Sequence, residues 1–264
     1  MKASRRRIRS SFLAVNEQRY IVAPFHWFLA PVPNDYYQFQ QFRINQRDCA
    51  MEMSTDACVL GTTLDPQGAT RLLDTGTGTE LLALMATQRH PAVEIGAVEI
   101  DLAAAAQAAA NAAASPWGPR VRVQQQSLAA YAAAGPDLFS RVVCNPPFFQ
   151  RALHSPDAGR SAARHAAPDT LIFAEIVRFP GAFLTADGRL TVLLPVPEIT
   201  AFAREAGAVG LPQPHDLCCT TGPAAACGRA AEPVAEQELV IRTADDAGYS
   251  DAFRALLAEF YLAL

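Results

Sequence analysis

From about Thr70 onward the chain alternates short apolar runs with stretches of helical spacing. Arg71-Leu72-Leu73 predicts a strand that ends at Asp74. A turn with two glycines follows, then a helix through Leu81, Leu82, Leu84 and Met85. Val93 to Val98 predicts a second strand, ending at Glu99. Asp101 is placed to cap a helix reaching about Ala114, built largely from alanine, the strongest helix former. Ser115-Pro116-Trp117-Gly118-Pro119 breaks it. Val121 to Gln125 predicts a third strand, Leu128 to Ala134 a short helix, and Arg141 to Cys144 a fourth strand. Asp169 to Arg178 has helical spacing, with Pro180 expected to end or kink it. Leu190 to Leu194 predicts a fifth strand and Glu198 to Ala206 a helix. Leu217-Cys218-Cys219 and Leu239-Val240-Ile241 supply the last two strands, with Gly222 to Pro233 a small-residue loop between them. Asp251 to Leu262 is expected to form a closing amphipathic helix. Strands alternating with helices imply an α/β fold: a doubly wound, mostly parallel, seven-stranded Rossmann-like sheet with helices on both faces.

The first 33 residues do not share this pattern. Arg5, Arg6, Arg7 and Arg9 form a basic cluster, and Phe25, His26, Trp27, Phe28, Pro31 and Pro33 an aromatic and proline stretch. Residues 1–33 are expected to be a disordered or loosely packed extension, and residues 34–264 one domain. Half of the 264 residues are apolar and 18% are charged, a globular composition that excludes wholesale disorder. The longest apolar stretch, Ile21 to Val32, is broken by Pro24, His26 and Pro31 and is too short to span a bilayer, so no membrane partner is expected. A net charge of -4 gives no support to charge-driven nucleic-acid binding, though it leaves room for a local basic patch. The six cysteines, at positions 49, 58, 144, 218, 219 and 227, form no CxxC pair, and no secretory signal is convincing. Reduced thiols, a cytoplasmic location and a monomer are expected. His215, Cys218, Cys219 and Cys227 do not suggest a metal site, because adjacent strand residues point to opposite faces. No metal is expected.

Two segments carry chemistry. Asp74-Thr75-Gly76-Thr77-Gly78-Thr79-Glu80 joins the first strand to its helix, a place where glycines let the backbone approach a ligand. Glu99 ends the next strand, 21 residues beyond Gly78, where an acid can accept from ribose hydroxyls. A dinucleotide turn would read GxGxxG, but position 81 is Leu. The second segment, Asn145-Pro146-Pro147-Phe148-Phe149, leaves the carboxyl end of the fourth strand. Prolines there stop the strand and stiffen the exit. An amine conjugated to a ring is a poor nucleophile. If Asn145 Oδ1 and the Pro146 carbonyl accept its N–H bonds, its lone pair turns toward the group being transferred. Phe148 offers a face on which a flipped base can stack. Arg151, Arg160 and Arg164 follow and suit contact with nucleic-acid phosphates.

Asp74 to Glu80, Glu99 and Asn145 to Phe149 resemble the class I S-adenosylmethionine-dependent methyltransferases that act on amino groups. Further residues resemble the bacterial tRNA1(Val) adenine-N6 methyltransferases. These are Phe42, Asp48-Cys49-Ala50-Met51, Thr55-Asp56, Leu60-Gly61, Leu81 to Met85, Ser115-Pro116-Trp117, Tyr249-Ser250 and Phe260-Tyr261-Leu262. The resemblance runs from Tyr36 to Leu264. It implies methyl transfer from S-adenosylmethionine to N6 of the adenosine just 3′ of the valine tRNA anticodon. Asp74, Gly76 and Gly78 would hold the methionine end of the cofactor, Glu99 its ribose and Ser127 its adenine. Thr55 and Asp56 would close over it. Asn145, Pro146 and Phe148 would hold the target adenine, with Pro147 and Phe149 beside them. Glu80 stands where the family has its third glycine, Ser127 where it has an acid, Glu52 in place of a lysine and Ser54 in place of a glycine. A carboxylate at Glu80 would lie near the cofactor's own carboxylate. Two other functions fit parts of the pattern: methylation of a protein glutamine amide, which needs a similar platform, and RNA binding by a weakly active or non-catalytic relative.

Overall fold

The computed structural model describes residues 35–49, 53–64, 68–146, 173–194, 196–211, 215–219, 222–228, 237–243 and 248–263. β1 (Tyr36–Gln38) and β2 (Arg43–Asn45) form an antiparallel hairpin, and α1 (Thr55–Thr63) follows. Then come β3 (Arg71–Thr75), α2 (Leu81–Arg89), β4 (Glu94–Glu99), α3 (Leu102–Ala114), β5 (Val121–Gln125), α4 (Leu128–Ala133) and β6 (Phe139–Cys144). The last part holds α5 (Phe173–Phe183), β7 (Leu184–Leu193), α6 (Val196–Ala208), β8 (His215–Cys219), β9 (Gly222–Gly228), β10 (Gln237–Leu239) and α7 (Asp251–Leu257).

The main sheet runs β10-β8-β9-β7-β6-β3-β4-β5. Its ladders are parallel except the two made by β9. The period of two along each strand separates two cores. Leu72, Val143 and Leu193 face one core, built with α1, α2, α7 and the hairpin. Leu73, Val142, Cys144, Leu190 and Val192 face the other, built with α4, α5 and α6. This is the doubly wound sheet the alternating pattern implied. Among the described residues no helix is long and apolar enough to cross a membrane.

These expectations need correction. The expected fifth strand, β7, begins at Leu184 and not Leu190. The sheet has eight strands and not seven, because Gly222–Gly228 is a strand and not a loop. Its Gly, Pro and Ala residues have low strand propensity, but antiparallel pairing to both β7 and β8 overrides it. α5 runs to Phe183 rather than Arg178, so of the two outcomes expected at Pro180 the helix end is excluded. Phe179 and Phe183 stack at 4.9 Å, and this packing offsets the lost backbone bond. The closing helix stops at Leu257 rather than Leu262. Gln40 Nε2 donates to the Ala258 and Tyr261 carbonyls at 2.8 and 2.6 Å, satisfying groups that would otherwise be orphaned at the helix end. Tyr261 instead bridges to Phe39 of the hairpin. The last strand ends at Leu239, two residues before Ile241.

Candidate active site

Four adjacent strands bring the sequence-picked residues to one edge of the sheet. In the β3–β6 ladder Asp74 lies opposite Val143 and Thr75 opposite Cys144. The next residues on the two strands, Gly76 and Asn145, therefore leave the sheet side by side. On the other flank Thr75 pairs with Val98 of β4, and Glu99 pairs with Gln125 of β5, two residues before Ser127. This is the carboxyl edge, where open α/β sheets bind ligands.

The turn after β3 is tied down by backbone bonds. Gly76 N–H and Thr77 N–H both donate to the Val98 carbonyl, at 2.8 and 3.2 Å. Gly76, Gly78 and Glu80 have φ of 67°, 55° and 71°, so every second residue is left-handed. Glycine takes that region freely, whereas a glutamate there costs about 1 kcal/mol. Glu80 is the one non-glycine residue with positive φ among those described. A Cβ at Gly78 would meet nothing within 4 Å, so this side of the turn is open to a ligand.

Glu99 braces the turn. Its Oε2 accepts from Gly78 N–H at 2.9 Å and its Oε1 from Asp101 N–H at 3.0 Å. A carboxylate has about four acceptor sites, so each oxygen keeps one lone pair. Asp74 is 1% exposed and Glu80 fully buried. Thr77 Oγ1 lies 2.7 Å from Asp74 Oδ2 and 3.0 Å from Glu80 Oε2. Asp74 Oδ1 and Glu80 Oε1 are buried without a hydrogen-bond partner. Burial pushes the Asp74 carboxyl up to about 7, against the Thr77 hydrogen bond, and Glu99 adds to the rise. Burial, with Asp74 beside it, pushes Glu80 well above the usual carboxylate range.

Asn145 is half-buried and Pro146 buried directly after β6. Ser127 is the N-cap of α4 and accepts from Ala130 N–H at 3.1 Å, which leaves its hydroxyl proton free to donate. Thr55 and Asp56 sit in the first turn of α1. Ser54, one of the departures from the family pattern, caps that helix by accepting from Ala57 N–H at 3.1 Å. Cys49 lies near Glu99: burial first and that carboxylate second push its thiol up to about 11. Pro147, Phe148, Phe149, Arg151, Arg160, Arg164 and Glu52 lie outside the described residues. So do residues 1–33. Among the described residues no group of three His, Cys, Asp or Glu side chains is placed to hold a metal ion.

Sequence reasoning missed Asn111. It is fully buried on α3 and joins three elements. Its Oδ1 accepts from Asn45 N–H at 3.0 Å and from Asn45 Nδ2 at 3.2 Å. Its Nδ2 donates to the carbonyls of Asn45 and Thr79 at 2.8 and 2.9 Å. The hairpin and the turn are thus pinned to one helix. The available signal is one of two polar residues in an alanine run, the one on the face that packs inward.

The methyltransferase small domain family matches residues 49–193. A tRNA1(Val) (adenine(37)-N6)-methyltransferase of Bacteroides thetaiotaomicron is 36% identical over 239 residues, spanning 88% of this chain and 99% of the relative. The Pseudoalteromonas translucida protein of the same name is 36% identical over 233 residues, spanning 86% and 98%. Among solved structures, a predicted O-methyltransferase from Agrobacterium tumefaciens superposes with a TM-score of 0.58 at 17% identity, over 80% of this chain and 99% of that one. A ribosomal protein L11 methylase from Lactobacillus delbrueckii gives 0.50 at 16% identity, over 70% and 83%. At these identities the structures speak for the fold.

Proposed function

This chain belongs to the tRNA1(Val) (adenine(37)-N6)-methyltransferase family, and from that membership we propose that it methylates N6 of adenosine 37 in tRNA1(Val). The cofactor is S-adenosylmethionine, which supplies an electrophilic methyl group on a sulfonium. The observation that carries the reading is the β3–β6 register, because it sets Asn145 beside the Gly76–Gly78 turn.

Our reading gives each residue a task. Asn145 Oδ1 and the Pro146 carbonyl accept the two N–H bonds of the target amine and aim its lone pair at the methyl group. The amine gains the N–C bond as the methyl–sulfonium bond breaks, which leaves a neutral thioether, and it sheds one proton to water. Phe148 stacks on the adenine, with Pro147 and Phe149 completing the platform. Arg151, Arg160 and Arg164 contact tRNA phosphates. Asp74, Gly76 and Gly78 take the methionine end of the cofactor, and the free lone pairs of Glu99 take its ribose. The buried, unpartnered Asp74 Oδ1 and the open space at Gly78 support that fit. Thr55 and Asp56 lie over the cofactor, and Ser127 meets its adenine. The protein acts as a monomer in the cytoplasm. The test is transfer of labelled methyl from S-adenosylmethionine to transcribed tRNA1(Val). Label is expected on the native sequence and not on a transcript with guanosine at position 37. Equal labelling of both would overturn the assignment.

Two further results are expected. Ser127→Asp keeps the α4 cap, because aspartate caps as well as serine, and adds a charged acceptor for an adenine amine. S-adenosylmethionine should bind about fivefold tighter by calorimetry, the scale of one hydrogen bond gained. Unchanged affinity would show that position 127 does not touch the cofactor. We also propose residues 34–264 as the catalytic domain. The two cores are assembled from described residues between Phe39 and Phe260. Deleting residues 1–33 should therefore shift the melting temperature by less than about 4 °C, the equivalent of about 1 kcal/mol. A larger loss would mean that the extension packs on the domain.

A further inference from the structure

Two carboxyl groups, Asp74 and Glu80, are buried in the turn with one hydroxyl between them. Thr77 Oγ1 has a single proton and lies within hydrogen-bond distance of both Asp74 Oδ2 and Glu80 Oε2. It can donate to one of them only. If both groups were ionised, one oxygen–oxygen contact would hold no proton, in a place nearly closed to water. Neither group is in a salt bridge among the described residues. Two uncompensated buried charges this close are far more costly than one. A single added proton closes the chain. The shorter contact to Thr77 belongs to Asp74, and the Ala83 N–H at the start of α2 also favours the charged form of Asp74. The charge therefore belongs on Asp74 and the proton on Glu80.

We propose that Glu80 is a positioning residue held as a neutral carboxylic acid, donating to Thr77, which in turn donates to Asp74. The turn then presents one negative charge, on Asp74, to the methionine end of the methyl donor. This rests on the reading of the turn as the cofactor site. A neutral acid at the third-glycine position has no charge with which to repel the cofactor's carboxylate. It also gives a reason for a glutamate at φ 71°: the strained backbone is held by a buried side chain with a definite partner.

The proposal fixes a pH dependence. Among the described residues, the ionisable groups facing Asp74 are Glu80, Glu99 across on β4, and the thiol of Cys144 on β6. The thiol, pushed up to about 12 by burial, stays neutral near pH 7. Asp74 loses its charge as the pH falls through about 7. A cofactor carrying an α-ammonium group should bind less well below that point and release a proton on binding. Burial and the neighbouring Asp74 raise Glu80 well above the usual carboxylate range, so the midpoint near 7 is assigned to Asp74.

The test is calorimetric titration of S-adenosylmethionine between about pH 5.5 and pH 8.5 for the wild type, Glu80→Gln, Thr77→Val and Thr77→Ser. Glutamine reproduces a neutral donor, so Glu80→Gln should keep the affinity within about twofold and leave the pH midpoint in place. Thr77→Val removes the donor to Asp74, and the midpoint should rise by about one unit, with Thr77→Ser restoring it. The infrared spectrum of the wild type should contain a protonated carboxylic acid band at the alkaline end that is missing from Glu80→Gln. If Glu80→Gln lowered the midpoint by about a unit or more, Glu80 would be an anion in the wild type and the proposal would be wrong. Absence of the infrared band from the wild type would overturn it too, whether or not the variants fold. A wild type that showed the band but bound no S-adenosylmethionine at any pH would sink the cofactor-site reading and leave the shared proton standing.

Discussion

Asn145→Ala is expected to slow methyl transfer at least about a hundredfold, the usual scale for one preorganised hydrogen-bond partner in a transition state. Affinity for S-adenosylmethionine should stay within about twofold, since the side chain is assigned to the amine and not the cofactor. The variant should fold, because Asn145 is half-buried at the end of β6 and belongs to neither core. The measurement is single-turnover transfer to tRNA alongside cofactor titration. If both activity and cofactor binding disappeared, Asn145 would be a structural residue. Full activity would mean that another group orients the amine.

Asn111→Ala should have the largest effect on stability. The side chain makes four hydrogen bonds, to Asn45 and Thr79, and is fully buried. Alanine is the better helix former, but it leaves the buried Thr79 carbonyl and the Asn45 backbone groups unpaired. The net loss should be about 3 kcal/mol, which lowers the melting temperature by about 6–12 °C in a domain of this size. Because Thr79 lies in the turn, cofactor affinity should weaken as well. A fall of less than about 2 °C would show that water replaces these bonds without loss.

Most of the fold is legible in the sequence, and so is the placement of the candidate residues at one sheet edge. β3 to β6 and the helices between them follow from local pattern, and Asp101 caps α3 by accepting from Ala104 N–H at 2.8 Å. The carboxyl-edge residues were found because turn glycines, a strand-ending acid and a proline exit are each local signals. What was missed depends on distant partners. β9 is a strand only because β7 and β8 lie on either side of it. α7 stops early where Gln40, more than 200 positions away, donates to the Ala258 and Tyr261 carbonyls just past its end. The hairpin of β1 and β2 has two strands of three residues each, too short to leave a periodic trace. Asn111 is locally only one polar residue in a helix, since its partners come from Asn45 and Thr79. The departure at Glu80 was recognised, but its inward direction follows from the buried pairing with Thr77.

The central claim is that the edge formed by β6, β3, β4 and β5 serves methyl transfer to an adenine amine of tRNA. The most direct measurement is mass spectrometry of nucleosides and mapped fragments from tRNA1(Val) treated with the protein and methyl-labelled S-adenosylmethionine, with a release factor in a parallel reaction. The account predicts labelled N6-methyladenosine in the fragment carrying adenosine 37, and no label on the release factor. Unlabelled tRNA beside a labelled release-factor glutamine would contradict it.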